Sequence, residues 1–336
     1  MNLTPPAPHL QRLVEQATGL GPIRVAVADA AQSEVLETMR EAQGLGLVEP
    51  RLVGDPEAIA AICSDIEWTP APDWMVPAGS GIAAAAKAVE LAREGKADAV
   101  MKGHIHTDSL MHALLDKELG LRVPSERVSH VFLVDVATRS RLLGITDAAI
   151  NIAPDLSAKA QILQNAINLF QLLGVETPKA AVLSAIETVN PEIVSTLDAA
   201  CLTLMAQRGQ ITGALVDGPL AFDNAISSQA AADKGIVSAV AGDADILLVP
   251  DLVSGNILAK NLEYLAGATA AGIAVGLAVP VALTSRADPV PARLASLAVA
   301  ALMHHRRPIT PTALHPFEAS LHCAPQPERA CYPLAK

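Results

Sequence analysis

Aromatic side chains are nearly missing from this chain: four Phe, two Tyr and two Trp make up only 2 % of 336 residues. Half of the residues (51 %) are hydrophobic, so the core has to be built from Ala, Val, Leu and Ile. That composition suits tightly packed helix-on-sheet layers. Cysteine is scarce as well. Cys63, Cys201, Cys323 and Cys331 show no C-x-x-C spacing, which indicates neither a zinc site nor a disulfide framework and fits the reduced thiols of a cytoplasm. Positive charge is short: the net charge is −11 and no basic run exceeds Arg306-Arg307. A nucleic-acid partner therefore lacks its electrostatic footprint, although a few local arginines can still receive an anion.

Several signatures are absent. There is no Walker loop and no G-x-G-x-x-G after a strand, so nucleotide-driven transfer and dinucleotide-dependent hydride transfer lose their usual support. No G-x-S-x-G elbow marks a hydrolase. His104 and His106 form a pair, but no carboxylate or cysteine cluster completes a metal shell, and no metal is expected. The opening MNLTPPAPHLQRLVEQ has no basic region followed by an apolar stretch, so it is not read as a signal peptide. Leu265 to Leu283 is uncharged and long enough to suggest a membrane span. Its Ala, Gly and Val content, divided by Gly276 and Pro280, predicts a buried helix followed by a buried strand instead.

What is present is βα alternation, over a length that suggests two domains. Strands are expected at Pro22–Ala28, Glu49–Val53, Ala97–Met101, Val131–Val136, Leu142–Ile150, Lys179–Ser184, Gly213–Asp217, Asp245–Pro250 and Val279–Leu283. The pair around Arg139 and Arg141 is expected to be antiparallel. Helices are expected from Ala31 to Gln43, after Asp55-Pro56, from Ser80 as cap to near Gly95, and from a Thr107 or Asp108 cap to Leu119. Further helices run from an Asp155 cap to Leu173, from an Asn190 cap through Pro191–Arg208, from Ile257 past Gly267, and from Pro291 to about Met303. Ile59–Asp73 reads as irregular, and 304–336 as a Pro- and His-rich tail without periodicity.

Several of these strands end in chemistry. Val279–Leu283 runs into Thr284-Ser285-Arg286-Ala287-Asp288, a hydroxyl, a permanent cation and a potential base just past a strand's C-terminal end, where open α/β sheets bind ligands. Lys102 ends another strand and Thr107 opens the helix after it, a place where free backbone donors can meet an anion. Asp217 to Asn224, with Asp217 and Asp223, and Pro250 to Asn256, with Ser254, Gly255 and Asn256, follow two more. The last of these turns can offer successive N–H groups to a phosphate.

In this order and spacing, Asn151-Ile152-Ala153-Pro154-Asp155, DGPLAFDNA, GDADILLVPDLVSGN and VPVALTSRAD resemble the phosphate acetyl/butyryltransferase family. The resemblance covers roughly Ile23 to Met303 and is strongest from Asp147 to Asp288. It implies an α/β fold of two α/β/α domains with a cleft between them, similar to the isocitrate dehydrogenase-like fold. The first domain would comprise 1–145 with 285–336 and the second 146–284. It implies a cytoplasmic homodimer that exchanges an acetyl or other short acyl group between CoA and inorganic phosphate through the acyl phosphate. No metal, cofactor, nucleic acid or membrane is involved.

In that scheme Arg286 holds phosphate, Ser285 stabilises an oxyanion or the thiolate, and a base frees the thiol. Lys102, Thr107, Asp217, Asp223, Ser254, Gly255 and Asn256 are the substrate-binding candidates. Three positions depart from acetyl-specific members: their basic aspartate falls at Ala292, and two of their arginines at about Met111 and Val136. Asp288 is the substitute base, or else a helix cap. Lys102, Arg139 or Arg141 is the substitute cation. Three functions stay open besides acetyl transfer: butyryl transfer, a metal- and NAD-dependent hydroxy-acid dehydrogenase on the same fold, and a non-catalytic CoA-binding relative.

Overall fold

The computed structural model describes residues 7–285 and 287–306. Short β-branched runs bounded by Gly and Asp-Pro become strands, and alanine-rich amphipathic stretches become helices. The first half contains α1 (Pro8–Thr18), β1 (Ile23–Ala28), α2 (Ser33–Gly44), β2 (Val48–Gly54), α3 (Pro56–Asp65), β3 (Met75–Pro77), α4 (Ile82–Arg93), β4 (Ala99–Lys102) and α5 (Thr107–Leu114). The antiparallel strands β5 (Ser129–Asp135) and β6 (Leu143–Thr146) follow. Next come α6 (Leu156–Leu172), β7 (Lys179–Leu183), α7 (Val194–Gln207), β8 (Leu215–Leu220), α8 (Phe222–Ile226), α9 (Ser228–Asp233), β9 (Ile246–Leu248) and α10 (Leu252–Tyr264). The chain returns through β10 (Thr269–Val275) and β11 (Val281–Ala282) to α11 (Val290–Arg306).

Among the described residues these strands form one sheet, ordered β3-β2-β1-β4-β11-β10-β5-β6-β9-β7-β8. β10 runs antiparallel to both β11 and β5, and β5 antiparallel to β6. The remaining neighbours are parallel. Strand direction therefore reverses across the middle. β1, β2, β4 and β11 end at one edge of the sheet; β6, β7, β8 and β9 end at the other.

The two faces of the sheet are packed differently. On one, a single apolar core joins α1, α2, α6, α7 and α11 through Leu36, Ile162, Leu202 and Leu297. On the other, the core is two separate clusters. One lies under α4 and α5 with Ala85, Leu110, Ala274 and Leu283; the other lies under α8 and α10 with Val134, Ala225, Ala259 and Ala270. The seam between them runs over β5 and β10, where Phe132 is half-buried opposite Gly272.

The α/β/α layering is as expected, and so are the Asp55 and Asp155 caps, which accept from Glu57 N–H and Ala158 N–H. Other expectations are overturned. The segment read as helix then strand is two strands, β10 and β11, because its small residues serve close strand approach: a Cβ at Gly272 would stand 2.6 Å from the Leu283 carbonyl oxygen. Ile59–Asp73 is irregular only beyond Asp65, where α3 ends. Neither Ser80 nor Thr107 nor Asp108 is a cap; Gly81 and His106 hold those positions without side-chain bonds, and α5 stops at Leu114. Asn190 instead caps a turn, accepting from Glu192 N–H, and α7 begins later, at Val194. α10 starts at Leu252 and ends before Gly267. Among the described residues no helix is long and apolar enough to cross a membrane.

Candidate active site

Two strand ends that lie far apart in sequence meet side by side. β11 pairs in parallel with β4, Ala282 opposite Met101, which sets Leu283 beside Lys102. Val100 and Leu283 both pack into the cluster under α4 and α5. By two-residue alternation Lys102 shares that face, and Ser285 continues it. Lys102 is 4 % exposed. Beside it, a Cβ at Gly103 would stand 2.2 Å from the Asp29 carbonyl oxygen, so only glycine lets the β1 and β4 ends close up. Asp29 holds a left-handed backbone (φ 61°) and accepts the Gly81 N–H at 2.8 Å.

The turn after β11 is held from within. The Asp288 carboxylate accepts the Ser285 N–H at 2.6 Å, and the Ser285 carbonyl accepts the Asp288 N–H at 3.3 Å. This carboxylate thus turns back onto the loop rather than forward onto the first turn of α11. Arg293, on α11 and 1 % exposed, donates from Nε to the Asp288 carbonyl at 3.0 Å and from Nη2 to the Ser285 carbonyl at 3.3 Å. A buried guanidinium therefore clamps both ends of the turn. Burial raises the Asp288 carboxyl above the usual carboxylate range; Glu263 adds to this, while the Ser285 N–H, Lys260 and Arg293 oppose it. Arg286 lies outside the described residues.

Beneath the turn, on the seam face, lies His130. Its ring is fully buried; among the described residues neither nitrogen makes a well-formed hydrogen bond, although the Leu283 carbonyl draws on the ring. Burial lowers its pKa to about 4, against the pull of Asp147 and of the Leu283 carbonyl. Thr284, also buried, has an Oγ1 without a partner among the described residues. Asp147 is a hub at the end of β6: its carboxylate accepts from the backbone of His130, Ala149 and Ile150 and from Asn151 Nδ2.

The other expected site residues lie elsewhere. Thr107 is the first residue of α5, just beyond Lys102. Ser254, Gly255 and Asn256 sit inside the first turns of α10 rather than before it. The Ser254 N–H and hydroxyl both go to Asp251, so the expected anion cradle is occupied by the chain's own carboxylate. Gly255 is small because a Cβ there would stand 2.7 Å from Val249 and 3.0 Å from Ala148, and Asn256 reaches the Ala148 carbonyl at 3.4 Å. Asp217 lies within β8 and accepts the Gly218 N–H; Asp223 is exposed on α8, 3.7 Å from Lys234. All five lie on or just after strands that end at the opposite sheet edge, on the far side of the β10–β5 reversal from Ser285. Arg139 and Arg141, between β5 and β6, are turned to the start of β9. Arg139 donates to the Ala244 carbonyl, and Arg141 pairs with Asp243 and Asp245 at 2.5 Å each.

Asp29, His130 and Arg293 escaped the sequence reading. The last two did carry a signal: each is the one titratable residue in its run, SHVFLV and ARLASLAVAAL.

Comparison with known proteins identifies the family. The family model described as phosphate acetyl/butaryl transferase matches residues 82–301. A phosphate acetyltransferase of Rhizobium meliloti is 50 % identical over 296 residues, 88 % of this chain and 93 % of that protein. A phosphate butyryltransferase of Clostridium acetobutylicum is 43 % identical over 280 residues, 83 % of this chain and 93 % of its own. Among solved structures, a branched-chain phosphotransacylase from Enterococcus faecalis V583 superposes with a TM-score of 0.72 at 32 % identity, covering 85 % of this chain and 99 % of that one. The chain belongs to the phosphate acetyl/butyryl transferase family.

Proposed function

We infer that this protein is a phosphate acyltransferase: acyl-CoA plus inorganic phosphate gives acyl phosphate plus CoA, reversibly, with a short acyl group. Beyond family membership, one observation carries the reading. The Ser285–Asp288 turn stands at a parallel strand end beside Lys102 and is clamped by buried Arg293.

In the direction of CoA acylation, the Asp288 carboxylate takes the thiol proton, a task that its raised affinity for protons favours. The thiolate attacks the carbonyl carbon of the acyl phosphate and forms the carbon–sulfur bond. Ser285 Oγ–H donates to the oxyanion that develops. Collapse then breaks the carbon–oxygen bond and releases phosphate, whose charge Arg286 and Lys102 balance. Direct transfer needs positioning and electrostatics only, so neither a metal nor a covalent enzyme intermediate enters. The division into 1–145 with 285–336 and 146–284, a cytoplasmic location and a homodimer belong to the same reading. The strand order, which groups β1–β4 with β11 and sets β6–β9 apart, supports the division.

The test supplies CoA with acetyl phosphate or butyryl phosphate and follows thioester absorbance. The reading expects turnover that survives EDTA and is abolished by Arg286→Ala. CoA binding without turnover, or turnover that needs NAD and a divalent cation, overturns it.

A further inference from the structure

A cavity of about 210 Å³ opens against the catalytic turn, where the C-terminal end of α10 meets the starts of β10 and α11. Ala268, Ala270, Ala287, Pro289 and Ala292 supply half of its lining residues, and Asp288 stands in its wall. We propose that this cavity is the acyl-chain subsite, and that Ala268, Ala270 and Ala292 set the chain length the enzyme accepts. The proposal rests on the acyltransferase reading above.

Three features select the occupant. The first is charge. The titratable groups at the cavity are Asp288 and Glu263, with Glu263 paired to Lys260 at 2.8 Å and Tyr264 at the rim. The described lining offers a neutral alkyl chain four methyl groups and a proline ring. The second is position. Asp288 both lines the cavity and accepts the Ser285 N–H, so a carbonyl carbon placed at Ser285 has its alkyl substituent at the cavity mouth. The third is size. A methylene group fills about the same 30 Å³ as a water molecule. The cavity thus exceeds an acetyl methyl several-fold and has room for unbranched or branched chains of about three to five carbons. The alanines keep it open: Ala270 and Ala292 are both 3 % exposed, and any longer side chain at either position must extend into the space or displace its neighbours.

The experiment compares kcat/KM for acetyl-CoA and butyryl-CoA, each with phosphate, in the wild type and in Ala292→Leu, Ala292→Val and Ala268→Val. One excluded methylene discriminates by about 10- to 200-fold. The expected result is a butyryl-to-acetyl ratio that falls at least tenfold in Ala292→Leu and by a smaller factor in the two valine variants. Thermal melts report folding. Should Ala292→Leu not fold, the valine variants decide, and an unchanged ratio in both overturns the proposal. An equal loss on both substrates, together with weaker inhibition by free CoA, also overturns it, because the cavity would then hold the pantetheine arm. A wild type that turns over neither thioester, though folded, fails at the earlier step and refutes the acyltransferase reading itself.

Discussion

Replacing Arg293 with Met tests whether the clamp on the Ser285–Asp288 turn is energetic as well as geometric. The guanidinium is buried and makes charged hydrogen bonds to the carbonyls of Ser285 and Asp288. Each such bond contributes about 1.5–3 kcal/mol, and an orphaned buried carbonyl costs about 1–3 kcal/mol. Against this, Met removes a cation whose burial is itself unfavourable, as the lowered pKa of Arg293 reflects. The net loss expected is about 3 kcal/mol. At about 2–4 °C per kcal/mol for 150–250 residues, and less for a longer chain, Tm should fall by at most roughly 6–12 °C. Catalysis should suffer more than stability, because a turn displaced by about 1 Å can cost on the order of 100-fold in rate. Arg293→Lys, which keeps the charge but not a planar fork spanning two carbonyls, should fall between. Thermal melts and thioester-forming kcat, measured below the variant's Tm, provide the readouts. A Met variant within about 1 °C of wild-type Tm and within twofold of its kcat would refute the clamp.

Two further outcomes follow from the seam. Gly272→Ala places a methyl 2.6 Å from the Leu283 carbonyl and 3.1 Å from His130 Nε2; backbone cannot yield cheaply, and urea unfolding should show a loss of about 1–3 kcal/mol, while an unchanged midpoint would mean that β10 and β11 separate without cost. His130, with its folded pKa near 4 against about 6.5 when unfolded, binds its proton less readily in the folded state. Its contribution to stability is therefore complete above pH 6.5 and is lost as pH falls towards 4, by at most about 3 kcal/mol. Asp147 and other carboxylates titrate nearby, so the test is the difference between wild type and His130→Gln across that window; a constant difference would show that the ring is not held neutral.

Strand ends were legible because apolar runs stop abruptly at polar residues, and this located Lys102, Ser285 and Asp288 before any coordinates. The Asp55-Pro56 and Asp155 helix starts were legible for a local reason too, a carboxylate two or three residues before a free N–H. Where the reading failed, the deciding contact was not local. Thr269–Val275 has the alanine and glycine of a helix, but its neighbours on the sheet, Phe132 and Leu283, require small residues on a strand. Gly255 looked like part of a phosphate loop and is instead the point where α10 packs against Val249 and Ala148. Arg293 and His130 are ordinary residue types in apolar runs until the chain closes around them.

The reversal of strand direction at β10 and β5 explains why polar loops that look equivalent in sequence are not equivalent in space. Loops after β4 and β11 share one sheet edge, so Lys102, Thr107, Ser285 and Asp288 form one neighbourhood. Loops after β6, β8 and β9 share the other, with Asp147, Asp223 and Asp251. The continuous core of α1, α2, α6, α7 and α11 ties the two halves together on one face only, so the opposite seam is where a long ligand can lie across the reversal. On the proposed reading CoA is such a ligand: its thiol reacts at the Ser285 edge, whereas its nucleotide takes no part in the chemistry. Chemistry at a single edge, with the other free to recognise the remote end of the substrate, follows from the antiparallel pair at the centre of the sheet.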